Sequence, residues 1–467
     1  MMNFTSTIAA ISTPPGKGGV AVIRISGDEA LSVAEKMFKP KGSLKDFKNV
    51  PRRQIWGDIL SCGEVIDDGL ICYFPAPFSY TGEDVIEISC HGGILITRCV
   101  LEAALSCGAA LAEAGEFTRR AFTNGKLTLT EAEAIGMLLD AEGMGQIRLG
   151  RAASRERLSE KISEIHTALL SLMSSIYARI DYPDEDLGDF TDSEAKDILK
   201  SAKMEIEALI ATYKVGRAVK AGVKTVIAGC PNVGKSTLYN ALTEDESAIV
   251  TDIPGTTRDI LECSVPVGNI ILRISDTAGI RDNVTDKVEA IGVERSKKRI
   301  EESELIFTLF NSSEPLCKED IELIRLQSGS SAAKIAVLTM QDRGVCDEFD
   351  KEFAGYENLF DAVIRISARL HPTEAKATVA QVVTSLFEEE NITVGTDAII
   401  SSANQYASLV KALEHVNSAL IAYTSGLTQD IASADVELAL SELSMLDGRG
   451  VCEELVSDIF SKFCVGK

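Results

Sequence analysis

Long apolar runs are missing from this chain. No stretch reaches the ~20 residues that a membrane-crossing helix needs, so no membrane-crossing helix is expected. The opening "MMNFTSTIAAISTPPGKGG" has no basic residues ahead of its short apolar stretch and does not read as a secretory signal. Histidine is scarce: His91, His166, His371 and His415 are too dispersed to suggest a metal cluster. The 11 cysteines contain no CxxC pair and no metal-like spacing, and their number is odd. That pattern predicts reduced thiols and a cytoplasmic location. Internal repeats and low-complexity tracts are absent. Positive charge is short, with Lys+Arg 47 against Asp+Glu 70 and a net charge of −23. Phosphate backbones repel such a chain on average, so contact with nucleic acid requires a local basic patch, a ligand-borne cation or a partner. "RLGRAASRER" sets Arg148, Arg151 and Arg155 on one helix face, but Glu142, Glu156 and Glu160 balance it, which reads as a solvated face. The tail "FCVGK" ends in Cys464, Val465, Gly466 and Lys467. Prenylation signals want an aliphatic residue at the Gly466 position and a different terminal residue, so a lipid anchor is not expected.

What is present reads as several textures. A length of 467 residues, 45% hydrophobic, suits about three packed domains. Residues 1–122 carry short β-rich runs closed by glycines, "GVAVIRISG" and "DVIEISCHGG". Residues 123–217 are helical. Leu158, Ile162, Ile165, Leu169, Leu172 and Ile176 form one apolar stripe. Residues 218–378 alternate strand-like runs ("KTVIAG", "NIILRISD", "ELIFTLF", "AAKIAVLT", "DAVIRIS") with helices, as in a wound α/β domain. Helices return over 379–467. The expected architecture is a multidomain α/β and α protein: an α+β N-terminal domain, then a helical domain in two segments with a P-loop domain inserted between them.

"GCPNVGKST" matches GxxxxGK[ST] between the strand "TVIA" and the helix-like "LYNAL". In that context the glycines let backbone N–H groups turn toward phosphates. Lys235 supplies charge, and Ser236 can hold Mg²⁺. Val233, Gly234 and Thr237 complete the loop, and Asn232 is either a K⁺ ligand or a turn former. "VTDIPGTTRD" contributes Thr251, Asp252, Ile253, Pro254, Gly255, Thr256 and Thr257, with Thr257 expected as the second Mg²⁺ ligand. A hairpin turning at Gly268-Asn269 leads to Asp276, Thr277, Ala278 and Gly279, the hydrolysis-coupled switch of a GTPase. Ile280 stands where Ras-like enzymes place a water-orienting glutamine. The base motif is "TMQD", not Asn-Lys-x-Asp. Asp342 can still accept from guanine's two donors, and Ser367, Ala368 and Arg369 fit the loop beside the base. Thr339 in place of asparagine is expected to lose a tie to the phosphate loop. That would weaken GTP by about 1–3 kcal/mol, roughly 5- to 150-fold, with guanine preference intact. Thr339→Asn with Met340→Lys is then expected to tighten binding several-fold.

The ordered set resembles the MnmE (TrmE) family of tRNA-modifying GTPases. It comprises "TPPGKGGVAVIRISG", "SYTGEDVIEISCHGG", "AGEFTRRAFTNGKLTLTEAEAI", "DYPDED", "GCPNVGKST", "VTDIPGTTRD", "DTAGIRD" and "FCVGK". The resemblance implies a K⁺- and Mg²⁺-dependent GTP hydrolase in the cytoplasm. It implies aminomethyl or carboxymethylaminomethyl transfer to C5 of the tRNA wobble uridine, with 5-formyl- or 5,10-methylene-tetrahydrofolate as one-carbon donor. It further implies a homodimer and an FAD-containing MnmG (GidA) partner, in a heterotetramer or larger assembly. Residues 1–122 would bind folate and dimerise. Arg24, Glu87, Lys126 and Lys467 match the folate positions, and Asn232, Thr251, Ile253 and Thr256 match the K⁺ site. Glu289 matches a general-base-like glutamate, and Cys464 matches a candidate reagent of the tail. A GTP-switched ribosome-assembly or scaffold GTPase without one-carbon chemistry is the rival reading.

Overall fold

The computed structural model describes residues 6–42, 46–153, 157–181, 191–243, 249–250, 262–275, 300–387, 392–425, 429–446, 459–461, 463 and 466. The chain forms two compact units, Met1–Gly136 with Leu443–Lys467, and Met137–Glu442.

The first unit holds a sheet of seven strands: β1 (Ile8–Ile11), β2 (Val20–Ser26), β3 (Phe38–Pro40), β4 (Ile55–Ser61), β5 (Glu64–Phe74), β6 (Val85–His91) and β7 (Ala110–Leu111). Their order is β3-β4-β5-β6-β2-β1-β7, antiparallel throughout except for the parallel pair β1–β7. Side chains alternate across a strand, so "VAVIRIS" sends Ala21, Ile23 and Ile25 to one face, against Ile86 and Ile88 of β6. Each isoleucine so buried contributes about 1.5–3 kcal/mol. The helices Ala30–Met37 and Ile94–Ser106 cover that face with Val33, Met37, Val100 and Ala104. By the same alternation Arg24 and Glu87, directly paired across β2 and β6, fall on the other face. There Ile8, Ala10, Ala112 and Phe117 form a smaller core.

The C-terminal end of the chain packs into this unit. Phe460 is buried and meets the rings of Phe122 and Phe463 at 6.1 and 5.5 Å. Gly115 has φ 65, and a Cβ there would lie 2.4 Å from the Phe460 carbonyl oxygen, so glycine is required twice over. Ser12 Oγ donates to the Gly466 carbonyl at 3.0 Å.

In the second unit, the helix Arg157–Asp181 carries the six-residue stripe from Leu158 to Ile176, which is wholly buried. The helix Asp192–Ala211 starts at a Thr191–Glu194 capping box and packs on the helix Ala403–Thr424. The α/β portion has a second seven-stranded sheet: β8 (Val223–Gly229), β9 (Ile249–Val250), β10 (Glu262–Val267), β11 (Ile270–Ser275), β12 (Leu305–Asn311), β13 (Ala333–Thr339) and β14 (Ala362–Arg365). Its order is β14-β13-β12-β8-β11-β10-β9. The first five are parallel and the last two pair antiparallel. Parallel strands are covered on both faces, which explains continuous apolar runs such as "LIFTLF". β10 and β11 join through Gly268-Asn269, with Gly268 at φ 62 as a two-residue hairpin loop demands. The helices Tyr213–Ala221 and Pro372–Phe387 run across the expected boundaries at 217/218 and 378/379. The second of them seats Ala375, Val379, Val383 and Phe387 in the α/β core.

Candidate functional site

The phosphate loop leaves β8 at Gly229, where a Cβ would lie 2.7 Å from the Leu309 carbonyl oxygen. Asn232 at φ 63 and Gly234 at φ 98 both take left-handed backbone. Asparagine tolerates that region better than most residues, so this position suits it on backbone grounds alone. The helix Lys235–Thr243 follows, with Leu238 N–H donating to the Gly234 carbonyl at 2.9 Å. Successive left-handed turns running into a helix N-terminus make an anion-binding concavity. Lys235 Nζ donates to the carbonyls of Gly229 and Cys230 at 2.7 and 2.8 Å. Burial pulls the pKa of this ammonium below the ordinary lysine value. A half-buried cation held at the loop by two carbonyls fits an incoming phosphate. Ser236 and Thr237 occupy the first turn of the same helix.

The base side corrects one expectation. Thr339 is buried at the end of β13, and its Oγ1 lies 2.8 Å from the Val233 carbonyl and 3.0 Å from the Phe310 carbonyl. The tie to the phosphate loop expected to be lost is therefore made by threonine. Parallel pairing sets Asn311 beside Thr339, so the end of β12 stands next to β13, and the Phe310 and Val233 carbonyls lie within reach of a short hydroxyl. One hydroxyl proton serves both acceptors. Met340 takes φ 57, a left-handed conformation that costs a side-chain-bearing residue about 1–2 kcal/mol. It turns the chain into the short 3-10 segment Gln341–Arg343. Exposed Asp342 accepts from Ser367 Oγ at 3.1 Å, so the acid and the "SAR" loop stand together.

Thr339→Val keeps the shape and removes the hydroxyl. It is expected to cost about 1–3 kcal/mol of stability in urea unfolding, because two buried carbonyls lose their shared donor. Thr339→Asn is expected to leave GTP affinity within about threefold in a fluorescent-nucleotide titration, well under the ~1.4 kcal/mol of a decade. A tenfold gain would show that threonine does not make the tie.

Thr251, Asp252, Ile253, Pro254, Gly255, Thr256, Thr257, Asp276, Thr277, Ala278, Gly279, Glu289, Cys464 and Lys467 lie outside the described residues. So do Arg155 and Glu156 of the basic helix face.

In the first unit Arg24 donates from Nε and Nη2 to Glu87 Oε1 at 3.0 and 2.8 Å. Its guanidinium also lies 5.2 Å from the Tyr80 ring centre and 5.7 Å from that of Phe117. Lys126 is exposed and donates to the Pro77 carbonyl at 3.1 Å. Sequence reasoning gave no role to the neighbouring polar cluster. Arg120, with its side chain wholly buried, bonds Glu116 Oε1 at 2.7 Å and both oxygens of Glu83 at 3.2 Å. Glu83 also accepts from Ser26 Oγ at 2.7 Å, and Glu116 accepts from the Glu113 N–H at 2.8 Å. "TGED" and "EFTRR" carry all three charged residues, but nothing in either stretch marks them as buried partners.

Residues 7–126 match the family described as "GTP-binding protein TrmE N-terminus", and residues 129–464 match the "MnmE helical domain". The "tRNA modification GTPase MnmE" of Clostridioides difficile (strain 630) is 38% identical over 466 residues, 100% of both chains. Its namesake in Thermoanaerobacter sp. (strain X514) is 38% identical over 470 residues, 99% of each chain. That of Geobacillus thermodenitrificans (strain NG80-2) is 36% identical over 471 residues, 100% of both.

Proposed function

The chain belongs to the MnmE family of tRNA modification GTPases, and on that premise we propose how its GTP hydrolysis is used. The chain is a GTP hydrolase acting in tRNA modification. The observation that carries the reading is Lys235, pre-set in a left-handed phosphate loop, in a chain matched from end to end by these enzymes. The finer reading is modification of C5 of the wobble uridine, with a one-carbon unit from a tetrahydrofolate and an FAD-containing MnmG partner.

Several features support this reading. Asp342 beside Ser367 suits the paired donors of guanine. Glu87 is a carboxylate suited to the paired N–H donors of a pterin, and Arg24, flanked by the rings of Tyr80 and Phe117, suits the folate's carbonyls or carboxylates. Lys126 and Lys467 complete the proposed folate set. Ser236 with Thr257 would hold Mg²⁺. Asn232 with Thr251, Ile253 and Thr256 would hold K⁺, and Glu289 would assist hydrolysis. The metals would supply charge neutralisation at the phosphates. The proposed division assigns 1–122 to folate binding and dimerisation and 218–378 to GTP. The flanking helical segments, 123–217 and 379–467, would carry Cys464 to the folate side. Among the described residues no helix is long and apolar enough to cross a membrane.

Mass spectrometry of tRNA from cells lacking the chain is expected to show unmodified wobble uridine, restored by the intact chain and not by Cys464→Ser. GTP turnover is expected to be fast in K⁺ and weak in Na⁺. Equal rates in the two salts would remove the K⁺ site. Normal wobble uridine in the deletion, with no binding of a reduced folate, would favour a switch GTPase without one-carbon chemistry.

A further inference from the structure

Cys230 follows Gly229 in the phosphate loop. Cys317 is the N-cap of the helix Lys318–Gln327, and Asp320 stands in that helix's first turn. The two Sγ atoms are 3.5 Å apart. Cys230 Sγ lies 3.1 Å from Asp320 Oδ1, and Cys317 Sγ lies 3.1 Å from Oδ2. One carboxylate is thus gripped by two thiols, one at each oxygen. Asp320 is buried, and the thiols are half-buried. The Cys317 N–H also donates to Oδ2 at 3.2 Å, which fixes the carboxylate's orientation.

We propose that Cys230, Cys317 and Asp320 form a Zn²⁺ site bridging the phosphate loop to the neighbouring helix. A tetrahedral ion ~2.3 Å from each sulfur and ~2.0–2.2 Å from oxygen places the sulfurs about 3.8 Å apart and sulfur and oxygen about 3.5 Å apart. The sulfurs stand a few tenths of an ångström closer than that, and each faces a different oxygen of Asp320, so a modest opening admits the ion with one of the two oxygens as its ligand. Two sulfurs and one oxygen suit zinc better than Mg²⁺, which wants six oxygens. Binding exchanges two thiol protons for one divalent cation. Two S–H bonds break, two Zn–S bonds and one Zn–O bond form, the ion sheds bound water, two protons leave to solvent, and the carboxylate stays ionised. The cluster carries one net negative charge before and after, so the ion enters without creating a new buried charge. Water completes the fourth position.

A disulfide between the same sulfurs is the competing chemistry. It needs an external two-electron oxidant. A disulfide makes no use of the Asp320 carboxylate, which is a third ligand for a metal. The site reaches the nucleotide through the backbone, because the Cys230 carbonyl accepts from Lys235 Nζ at 2.8 Å. Zinc would fix this residue of the loop, so zinc and GTP are expected to alter one another's affinity.

The test titrates reduced, metal-stripped full-length protein with Zn²⁺ against a chromophoric chelator, and with Co²⁺ for its sulfur-to-metal charge-transfer band. One tight site is expected in the intact chain, with release of two protons. Affinity should fall at least ~10-fold in Cys230→Ser and, separately, in Cys317→Ser, and remain in Cys62→Ser. The Cys317 variant lies outside the phosphate loop and guards against a loop that fails to fold, and circular dichroism checks both. Identical titrations of the intact chain and the Cys317 variant would overturn the site. Loss of both thiols without metal, reversed by a dithiol reductant, would overturn it in favour of a disulfide.

Discussion

Lys235→Met is expected to weaken GTP about 10- to 150-fold while leaving the melting temperature of the nucleotide-free protein unchanged or higher. The nucleotide loses at least one charge-assisted hydrogen bond of about 1.5–3 kcal/mol. Stability responds the other way. Burial lowers the lysine's folded pKa, so the charged form is penalised in the native state. That penalty is present at neutral pH and fades only as pH rises through the lowered pKa, because the folded state then sheds its proton before the unfolded chain does. Methionine keeps the aliphatic stem and removes the penalty. Isothermal titration with GTP and a thermal melt without it measure the two halves on one sample. A variant that loses affinity and melts well below the parent would show that the two carbonyl bonds stabilise the loop more than burial penalises it.

The phosphate loop was legible because its requirements are contiguous: strand, glycines, lysine and helix follow one another within a few residues. The stripe from Leu158 to Ile176 was legible because a helix repeats its buried face at a fixed period, and all six residues are buried. The hairpin at Gly268-Asn269 was legible because a two-residue loop needs a positive φ. Thr339 was misread because its partners, Val233 and Phe310, lie 106 and 29 residues away. Only the parallel pairing of β12 with β13 shows that a hydroxyl reaches both. The thiol pair was hidden for the same reason. Cys230 and Cys317 are 87 residues apart, a separation that no local spacing rule covers. The part Met340 plays is one of backbone, since its left-handed conformation shapes the turn that presents Asp342, and nothing in "TMQD" marks it. In the first unit, Arg24 and Glu87 were named through resemblance alone. Strand alternation explains afterwards why both leave the apolar face.

Arg120 shows the same limit with a larger energy attached, since a wholly buried arginine looks like any surface arginine in "EFTRR". Arg120→Ala is expected to destabilise the first unit by about 3–5 kcal/mol, because it strands two carboxylates that now share one guanidinium. Glu83 and Glu116 would then stand in the space Arg120 vacates, one still held by Ser26 and the other by a backbone N–H. Those bonds hold the carboxylates in place and prevent them from turning to water, so the repulsion is not relieved by a side-chain rotation. Arg120→Lys is expected to recover only part of the loss. A single ammonium cannot reproduce the planar fork that reaches Glu116 Oε1 and both Glu83 oxygens together. The decisive comparison is a cycle in urea unfolding between Arg120→Ala alone and Arg120→Ala combined with Glu83→Gln and Glu116→Gln. If stranded charge is the cause, the triple variant is expected to be more stable than the single one, since it has no uncompensated anion left to bury. If the triple variant is instead the less stable, the cost of Arg120→Ala comes from the cavity left by its side chain and not from the carboxylates.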